Sequence, residues 1–334
     1  MRYDTKETIL VTGAAGFIGS HLVERLRLRR ERLLCLDNFD PYYAKELKEQ
    51  NLRQALDGDD SCFVEGDIRD RALLERLFSR HEITTVIHLA ARPGVRASIE
   101  NPLPYFDINV SGTLALLETG RAFGLRKFIF ASSSSVYGEN GGAPANEEST
   151  ACHPLSPYGA SKVAAEIACE TYSRLCDMTT ISVRPFTVYG PRQRPDMAIG
   201  RFTKLISEGR EVTIYGNGDA LRDFTFISDI VSGVEAALTI RLDGYRVFNL
   251  GRGEPVSVLQ AVRLIEEELK AKAMLRFLPA QIGDPLVTRA DISKARASLG
   301  YQPTVSIHEG IAQYVRWFRE GTNPTLSGVV RTIG

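Results

Sequence analysis

Through the first half of the chain, short apolar runs alternate with stretches whose apolar residues recur at helical spacing. Ile9–Thr12 is one such run, and Leu22, Val23 and Leu26 behind it share a helix face. Leu33–Asp37 is a second run. The polar segment 38–61 carries a helical pattern over Leu47–Leu56. Cys62–Val64 is a third run, followed by Leu73, Leu74, Leu77 and Phe78 at helical spacing. Thr85–Ala91, Lys127–Ala131 and Thr180–Arg184 read as three more strands, with long helices over about 104–123 and 157–176. Strands that are apolar throughout need cover on both faces, and helices between them supply it. The alternation predicts a parallel, doubly wound α/β sheet.

Past Pro185 the texture changes. Gly and Pro become frequent, strands shorten, and helical patterns (Ile227–Thr239, Val256–Leu269, Ile307–Phe318) no longer alternate strictly with strands. This predicts a cofactor domain over 1–185, joined by about 226–250, which returns to the sheet. A smaller α/β substrate domain takes 186–225 and 251–320. Residues 321–334 lack periodicity and read as a loose tail.

Composition narrows the class. With 41 basic and 41 acidic side chains the formal charge is zero, which removes the electrostatic case for nucleic acid or an anionic membrane. Five scattered cysteines without a Cys-x-x-Cys pair suggest neither a disulfide framework nor a metal site, and a reducing, cytoplasmic setting is expected. Met1–Glu7 is polar with no signal-peptide pattern behind it, and no run approaches the ~18 apolar residues of a membrane span.

The candidate chemistry begins where the first strand ends. Gly13-x-x-Gly16-x-x-Gly19 bridges strand and helix. Gly13 lets the turn close, Gly16 lets backbone approach a phosphate, and Gly19 lets helix and strand pack closely. Such a turn also occurs without a ligand. Asp37, at the end of the next strand and ~20 residues beyond the glycines, stands where an acid holds a ribose diol. Its carboxylate would repel a 2′-phosphate, so NAD is expected over NADP. Nearby Arg29, Arg30 and Arg32 read as a solvated helix end.

Ser156-Pro157 opens the second long helix, and Tyr158 and Lys162 follow at a spacing that puts them on one face. A phenol's reference pKa of ~10 is too high for a base at neutral pH, but an adjacent ammonium and a cationic nicotinamide both favour phenolate. A surface Tyr–Lys pair is the bland alternative. The fifth strand runs into Ser132–Ser135, and Ser133 is placed to share a substrate hydroxyl with Tyr158.

Together the glycine turn, the Ser133 cluster and Tyr158-x-x-x-Lys162 resemble the extended short-chain dehydrogenase/reductase family, and within it the nucleotide-sugar epimerases and dehydratases. The resemblance covers about residues 8–317. It implies a Rossmann-type fold, bound NAD and the triad Ser133, Tyr158 and Lys162. It also implies cofactor contacts at Gly13, Gly16, Phe17, Ile18, Gly19, Asp37, Asn38, Asp67, Ile68, Leu89, Ala90, Ala91, Asn109, Tyr158, Lys162, Pro185 and Val188. Pairing of two copies through the two long helices, giving a homodimer, is implied as well.

Ser134-Ser135 stands before Val136-Tyr137 where the family's dehydratases and decarboxylases carry a carboxylate, which leaves simple 4-epimerisation. Thr187 and the stretch Gly190-Pro191-Arg192-Gln193-Arg194-Pro195-Asp196-Met197-Ala198 resemble the branch acting on UDP-glucuronate. The expected activity is conversion of UDP-glucuronate to UDP-galacturonate. Arg192 is the expected fork for the C6 carboxylate, with an inter-domain ion pair as its alternative. Arg96, Ser133–Ser135, Tyr158, Thr187, Arg192, Arg222 and Asp284 form the expected sugar-nucleotide set. By resemblance, Arg222 lies on the diphosphate and Asp284 near the nucleotide's ribose. A 4-epimerase of neutral UDP-hexoses or UDP-N-acetylhexosamines, and a non-catalytic NAD-sensing protein, remain open alternatives.

Overall fold

The computed structural model describes residues 7–56, 61–148, 151–281 and 283–321. The expected tail therefore lies outside the described residues beyond Gly321, as do residues 1–6 at the other end.

Five βα units and a sixth strand build the first half. They comprise β1 (Thr8–Thr12), α1 (Phe17–Leu28), β2 (Arg32–Asp37), α2 (Lys45–Ala55), β3 (Ser61–Glu65), α3 (Arg71–Arg80) and β4 (Ile83–His88). There follow α4 (Val95–Glu100), α5 (Leu103–Phe106), α6 (Gly112–Ala122), β5 (Lys127–Ala131), α7 (Pro157–Leu175) and β6 (Thr179–Pro185). The second half runs β7 (Thr187–Tyr189), α8 (Ala198–Ser207), β8 (Glu211–Tyr215), β9 (Leu221–Arg222), β10 (Phe224–Phe226), α9 (Ile227–Thr239) and β11 (Tyr245–Leu250). It ends in β12 (Val256–Ser257), α10 (Val258–Leu269), β13 (Met274–Leu278), α11 (Ser293–Leu299) and α12 (Ile307–Arg319).

Seven strands form one parallel sheet in the order β11-β6-β5-β4-β1-β2-β3, the doubly wound class expected from the alternation. Side chains alternate across it. Val11, Ile87 and Ile129 pack with Leu22 and Val23 of α1 and with Ile230 and Val234 of α9. On the other face, Leu10, Val86 and Phe128 pack with Leu74 of α3, Leu116 of α6 and Ala165 of α7. β11 pairs with β6 from Tyr245↔Thr180 to Leu250↔Pro185, which brings the chain after α9 back to the sheet. The remaining strands make two-stranded pieces, β10-β7, β12-β9 and β13-β8.

Two elements differ from the sequence reading. The helix expected over 104–123 is α5 and α6 joined by a π turn at Asp107–Ser111. The wider turn swings the Asn109 carboxamide inward, where it accepts from the Arg92 N–H (2.7 Å) and donates to the Arg92 carbonyl (3.1 Å). The helix expected from Val256 begins at Val258, because Val256 and Ser257 first pair with β9 and Ser257 then caps the helix on the Gln260 N–H.

Candidate active site

At the C-terminal edge of the sheet lies a cleft of about 340 Å³, a size suited to a ligand. Its floor is the glycine turn. Gly13 has φ +71°, and a Cβ there would stand 2.7 Å from the Ala90 nitrogen. Only glycine lets this turn touch the end of β4. A Cβ on Gly19 would fall 2.0 Å from the Gly13 carbonyl oxygen, so α1 meets the turn through bare backbone. No side chain caps α1, whose first N–H groups stay available to an anion.

Asp37 closes one end of the cleft and is 8% exposed. Its two carboxylate oxygens accept from the backbone N–H of Ala15 (3.0 Å) and Phe39 (2.8 Å). Burial pushes its pKa up, against the pull of the Lys48 ammonium and those two N–H groups. Asn38 donates to Asp67 at 2.9 Å, and the Arg69 guanidinium beside Asp67 holds that carboxyl down at about 2.

The opposite end carries the candidate base. Ser156 caps α7 on the Gly159 N–H at 3.1 Å. A Cβ on Gly159 would lie 2.5 Å from the Ser135 carbonyl oxygen, so this glycine admits the serine turn against the first turn of α7. Ser133 thereby stands beside Tyr158. Burial raises the Tyr158 pKa, opposed by the Ser133 hydroxyl and the Arg194 charge. One helical turn on, Lys162 is 3% exposed and donates to the Ala131 carbonyl at 2.7 Å, its ammonium 4.8 Å from the Phe130 ring centre. Burial brings its pKa down to about 7.

Of the residues singled out from sequence, Gly13, Gly16, Phe17, Ile18, Gly19, Asp37, Asn38, Asp67, Ile68, Leu89, Ala90, Ala91, Ser133, Ser134, Ser135, Tyr158, Lys162, Pro185, Thr187 and Val188 all line this cleft. Asn109 is instead buried behind it, and its carboxamide donates to Ser161 Oγ (2.9 Å), which donates to the Tyr158 carbonyl (2.7 Å). Arg96, Arg222 and Asp284 gather in a separate cluster. Arg222 donates to Asp284 at 2.6 Å, while Arg96 lies 4.0 Å from Asp284 and stacks 4.5 Å above the Tyr215 ring.

Arg192 is a correction. Gly190-Pro191-Arg192-Gln193 makes a turn closed by the Gln193 N–H on the Gly190 carbonyl (3.2 Å), with Arg192 at φ +62°. The turn sends Arg192 to α1, away from the cleft. There it donates to His21 Nδ1 at 2.7 Å and pairs with Glu24. His21 in turn donates through Nε2 to the Pro191 carbonyl at 2.9 Å, and burial with the Arg192 charge takes its pKa down to about 3. Arg194 lines the cleft in its place, braced by both oxygens of Asp196 at 2.9 and 3.0 Å and 5.7 Å from the Tyr42 ring centre. Tyr42 also lines it, as do Arg92 and Lys48, neither of which the sequence singles out. Arg194 had a signal, since it belongs to the same stretch as Arg192.

A doubly wound sheet with a glycine turn, a ribose-side acid and a Tyr–Lys pair at one edge defines a nucleotide-cofactor enzyme of the short-chain dehydrogenase/reductase type. The chain belongs to the NAD dependent epimerase/dehydratase family, whose sequence profile matches residues 9–251. It is 42% identical over 312 residues to a UDP-glucuronate 4-epimerase of Thermodesulfobacterium geofontis, covering 93% of this chain and 96% of that one. A crystal structure of UDP-glucuronic acid 4-epimerase from Bacillus cereus with UDP-glucuronic acid and NAD superposes with a TM-score of 0.88 at 39% identity, covering 94% of this chain and 99% of that one. UDP-glucose 4-epimerase of Thermotoga maritima with UDP-glucose gives a TM-score of 0.86 at 34% identity, again covering 94% and 99%. Among the described residues no helix is long and apolar enough to cross a membrane.

Proposed function

We propose that this chain catalyses NAD-dependent 4-epimerisation of UDP-glucuronate to UDP-galacturonate through a 4-keto intermediate. The observation that carries the reading is the convergence of Tyr158, Ser133 and Arg194 on one cleft whose other end is the glycine turn and Asp37.

The residues fit NAD. The glycine turn leaves no Cβ between backbone and a pyrophosphate, and Asp37 and Asp67 offer carboxylates to an adenosine moiety while disfavouring a 2′-phosphate. Bound NAD supplies a hydride acceptor for the sugar C4, and a donor on the return. Tyr158 takes the proton of the 4-hydroxyl and later gives it back. Lys162 favours the phenolate from one helical turn away, and Ser133 steadies the hydroxyl. The 4-keto sugar presents its other face while its nucleotide stays held, with Arg222, Asp284 and Arg96 as the proposed diphosphate and ribose ligands.

Oxidation at C4 makes glucuronate a β-keto acid, which sheds CO₂ when the bond to the carboxylate stands perpendicular to the carbonyl plane. Arg194 can fix that torsion as a bidentate partner and keep the negative charge on the carboxylate. Ser134 and Ser135 bring no acid to assist the loss.

Residues 1–185 with about 226–250 serve as the cofactor domain in this reading, and 186–225 with 251–320 as the substrate domain. We further propose a homodimer through α5, α6 and α7. Leu103, Phe106, Leu114 and Ile167 on these helices are exposed apolar side chains that a second copy would cover. Cysteine thiols outside any disulfide at Cys152, Cys169 and Cys176 fit a cytoplasmic enzyme. The test is incubation with UDP-glucuronate, UDP-glucose and UDP-N-acetylglucosamine, followed by chromatography. UDP-galacturonate should form from the first. Turnover confined to the neutral sugars would overturn the substrate assignment.

A further inference from the structure

Four residues past Lys162 on the same face of α7 lies a second buried charge, Glu166, 5% exposed. Arg184, near the end of β6 and 4% exposed, engages both its oxygens, through Nε at 2.8 Å and Nη2 at 2.6 Å. The guanidinium also stacks 4.8 Å from the Tyr137 ring centre, and Tyr137 donates to Asn249 at 2.7 Å. Neither Glu166 nor Arg184 lines the cleft, so neither touches substrate or cofactor. A buried ion pair of this kind is weak evidence for stability, because apolar replacements of similar shape often fold as well. Its place suggests another use.

We propose that Arg184 and Glu166 are positioning residues of the reaction: locked together they present zero net charge to Lys162, and so set the pH range in which its ammonium supports Tyr158. This rests on the reading of Tyr158 as the base.

The other groups around Lys162 leave the pair in control. On α7 these are Tyr158 and the Cys169 thiol, which burial keeps protonated. From β4 comes His88, which burial holds neutral down to about 3. β5 offers only the Ala131 carbonyl and the Phe130 ring. The phenols of Tyr137 and Tyr245 are both pushed up by burial and stay neutral. Arg194 acts on Tyr158 from the cleft side, paired with Asp196. Glu166 pulls the Lys162 pKa upward, and the Arg184 guanidinium bonded to both its oxygens carries the opposite charge.

The charges predict shifts of opposite sign. Glu166→Gln leaves a lone guanidinium, which cannot shed its proton. It lowers the Lys162 pKa, so the alkaline limb of the kcat–pH profile, where that ammonium is lost, should move down by about one unit, the lower end for a nearby buried charge. Arg184→Met leaves a lone carboxylate and should move the profile up. The double variant Glu166→Gln/Arg184→Met restores zero net charge and should return to the wild-type position. Profiles are measured at saturating UDP-glucuronate with NAD added, and folding is checked by circular dichroism. If one single variant fails to fold, the other against the double variant decides. A folded single variant whose profile superposes on wild type would overturn the proposal, as would single and double variants that shift alike. Failure of the underlying reading is distinguishable, because Tyr158→Phe would then keep near-normal turnover.

Discussion

Arg192 and Arg194, two residues apart, serve opposite walls of the same loop. Arg192 bonds His21 and Glu24 on α1, whereas Arg194 lines the cleft that holds Tyr158. The turn at Arg192 separates them. Their truncations should therefore have different signatures. Arg194→Ala should lower kcat/KM for UDP-glucuronate ~10- to 150-fold more than for UDP-glucose, the range that follows from ~1.5–3 kcal/mol for a charge-assisted hydrogen bond. It should also let some decarboxylated pentose product form. Arg192→Ala should reduce both sugars alike and lower the melting temperature. Steady-state kinetics with the two sugars checks both, and equal losses in Arg194→Ala would remove its carboxylate role.

Tyr158 and Lys162 share a helix face, with Lys162 anchored on the Ala131 carbonyl. Tyr158→Phe keeps the ring against Tyr105, whose centroid is 6.2 Å away, and removes only the hydroxyl. It should cut kcat by at least ~100-fold, the scale of a positioned acid–base. Retained NAD content and unchanged UDP-glucuronate affinity by calorimetry would show that the loss is chemical.

Legibility in the sequence followed locality. The sheet was readable because each strand is an apolar run and each helix repeats its apolar face within a dozen residues. The glycine turn, Asp37 and the Tyr158–Lys162 spacing are equally local, and the cleft gathers them. Arg194 was not readable as the lining arginine, because a single left-handed residue at Arg192 decides which guanidinium reaches the cleft. The π turn was hidden for a similar reason. Asn109 turns inward to satisfy the Arg92 backbone, a partner set by tertiary packing rather than periodicity. The Glu166–Arg184 pair joins residues on different elements, and no spacing rule connects them.

Asp223 offers a stability test at the substrate side of the fold. It is fully buried. One oxygen accepts from the N–H groups of Gly253 and Ala290, both at 2.9 Å, and the other from Arg252 N (2.8 Å) and Thr225 Oγ1 (3.1 Å). All four partners are donors. Asp223→Asn would turn an amide N–H₂ onto two of them, so the change should cost about 3 kcal/mol in urea unfolding. It also sits beside Arg222, and UDP affinity should fall with it. A loss below ~1 kcal/mol would mean that the surrounding backbone relaxes freely.

His88 allows the pH dependence of stability to be predicted with its sign. It is 1% exposed and sits inside a fully paired chain of hydrogen bonds. The Ala90 N–H donates to Thr12 Oγ1 (3.2 Å), which donates to His88 Nδ1 (2.7 Å). His88 Nε2 donates to Thr113 Oγ1 (3.0 Å), which donates to the Asn109 carbonyl (2.6 Å). The ring has one proton and no room for a second, and burial takes its pKa down to about 3. His21 is lowered to about 3 as well. In the unfolded chain each imidazole binds a proton as pH falls through ~6.5, while the folded chain refuses it until about 3. The unfolded state then holds more protons, so stability falls as pH falls through this window, by up to ~1.4 kcal/mol per pH unit for each ring. His88→Gln keeps a donor and an acceptor but cannot titrate. Buried carboxylates such as Asp37 act with the opposite sign, but they are common to both proteins and cancel in the comparison. Unfolding free energies at pH 6, 5 and 4 should therefore slope less steeply in His88→Gln than in wild type, by close to one proton. Identical slopes would mean that the folded protein accommodates a charged His88, and that the chain from Ala90 to Asn109 yields to it.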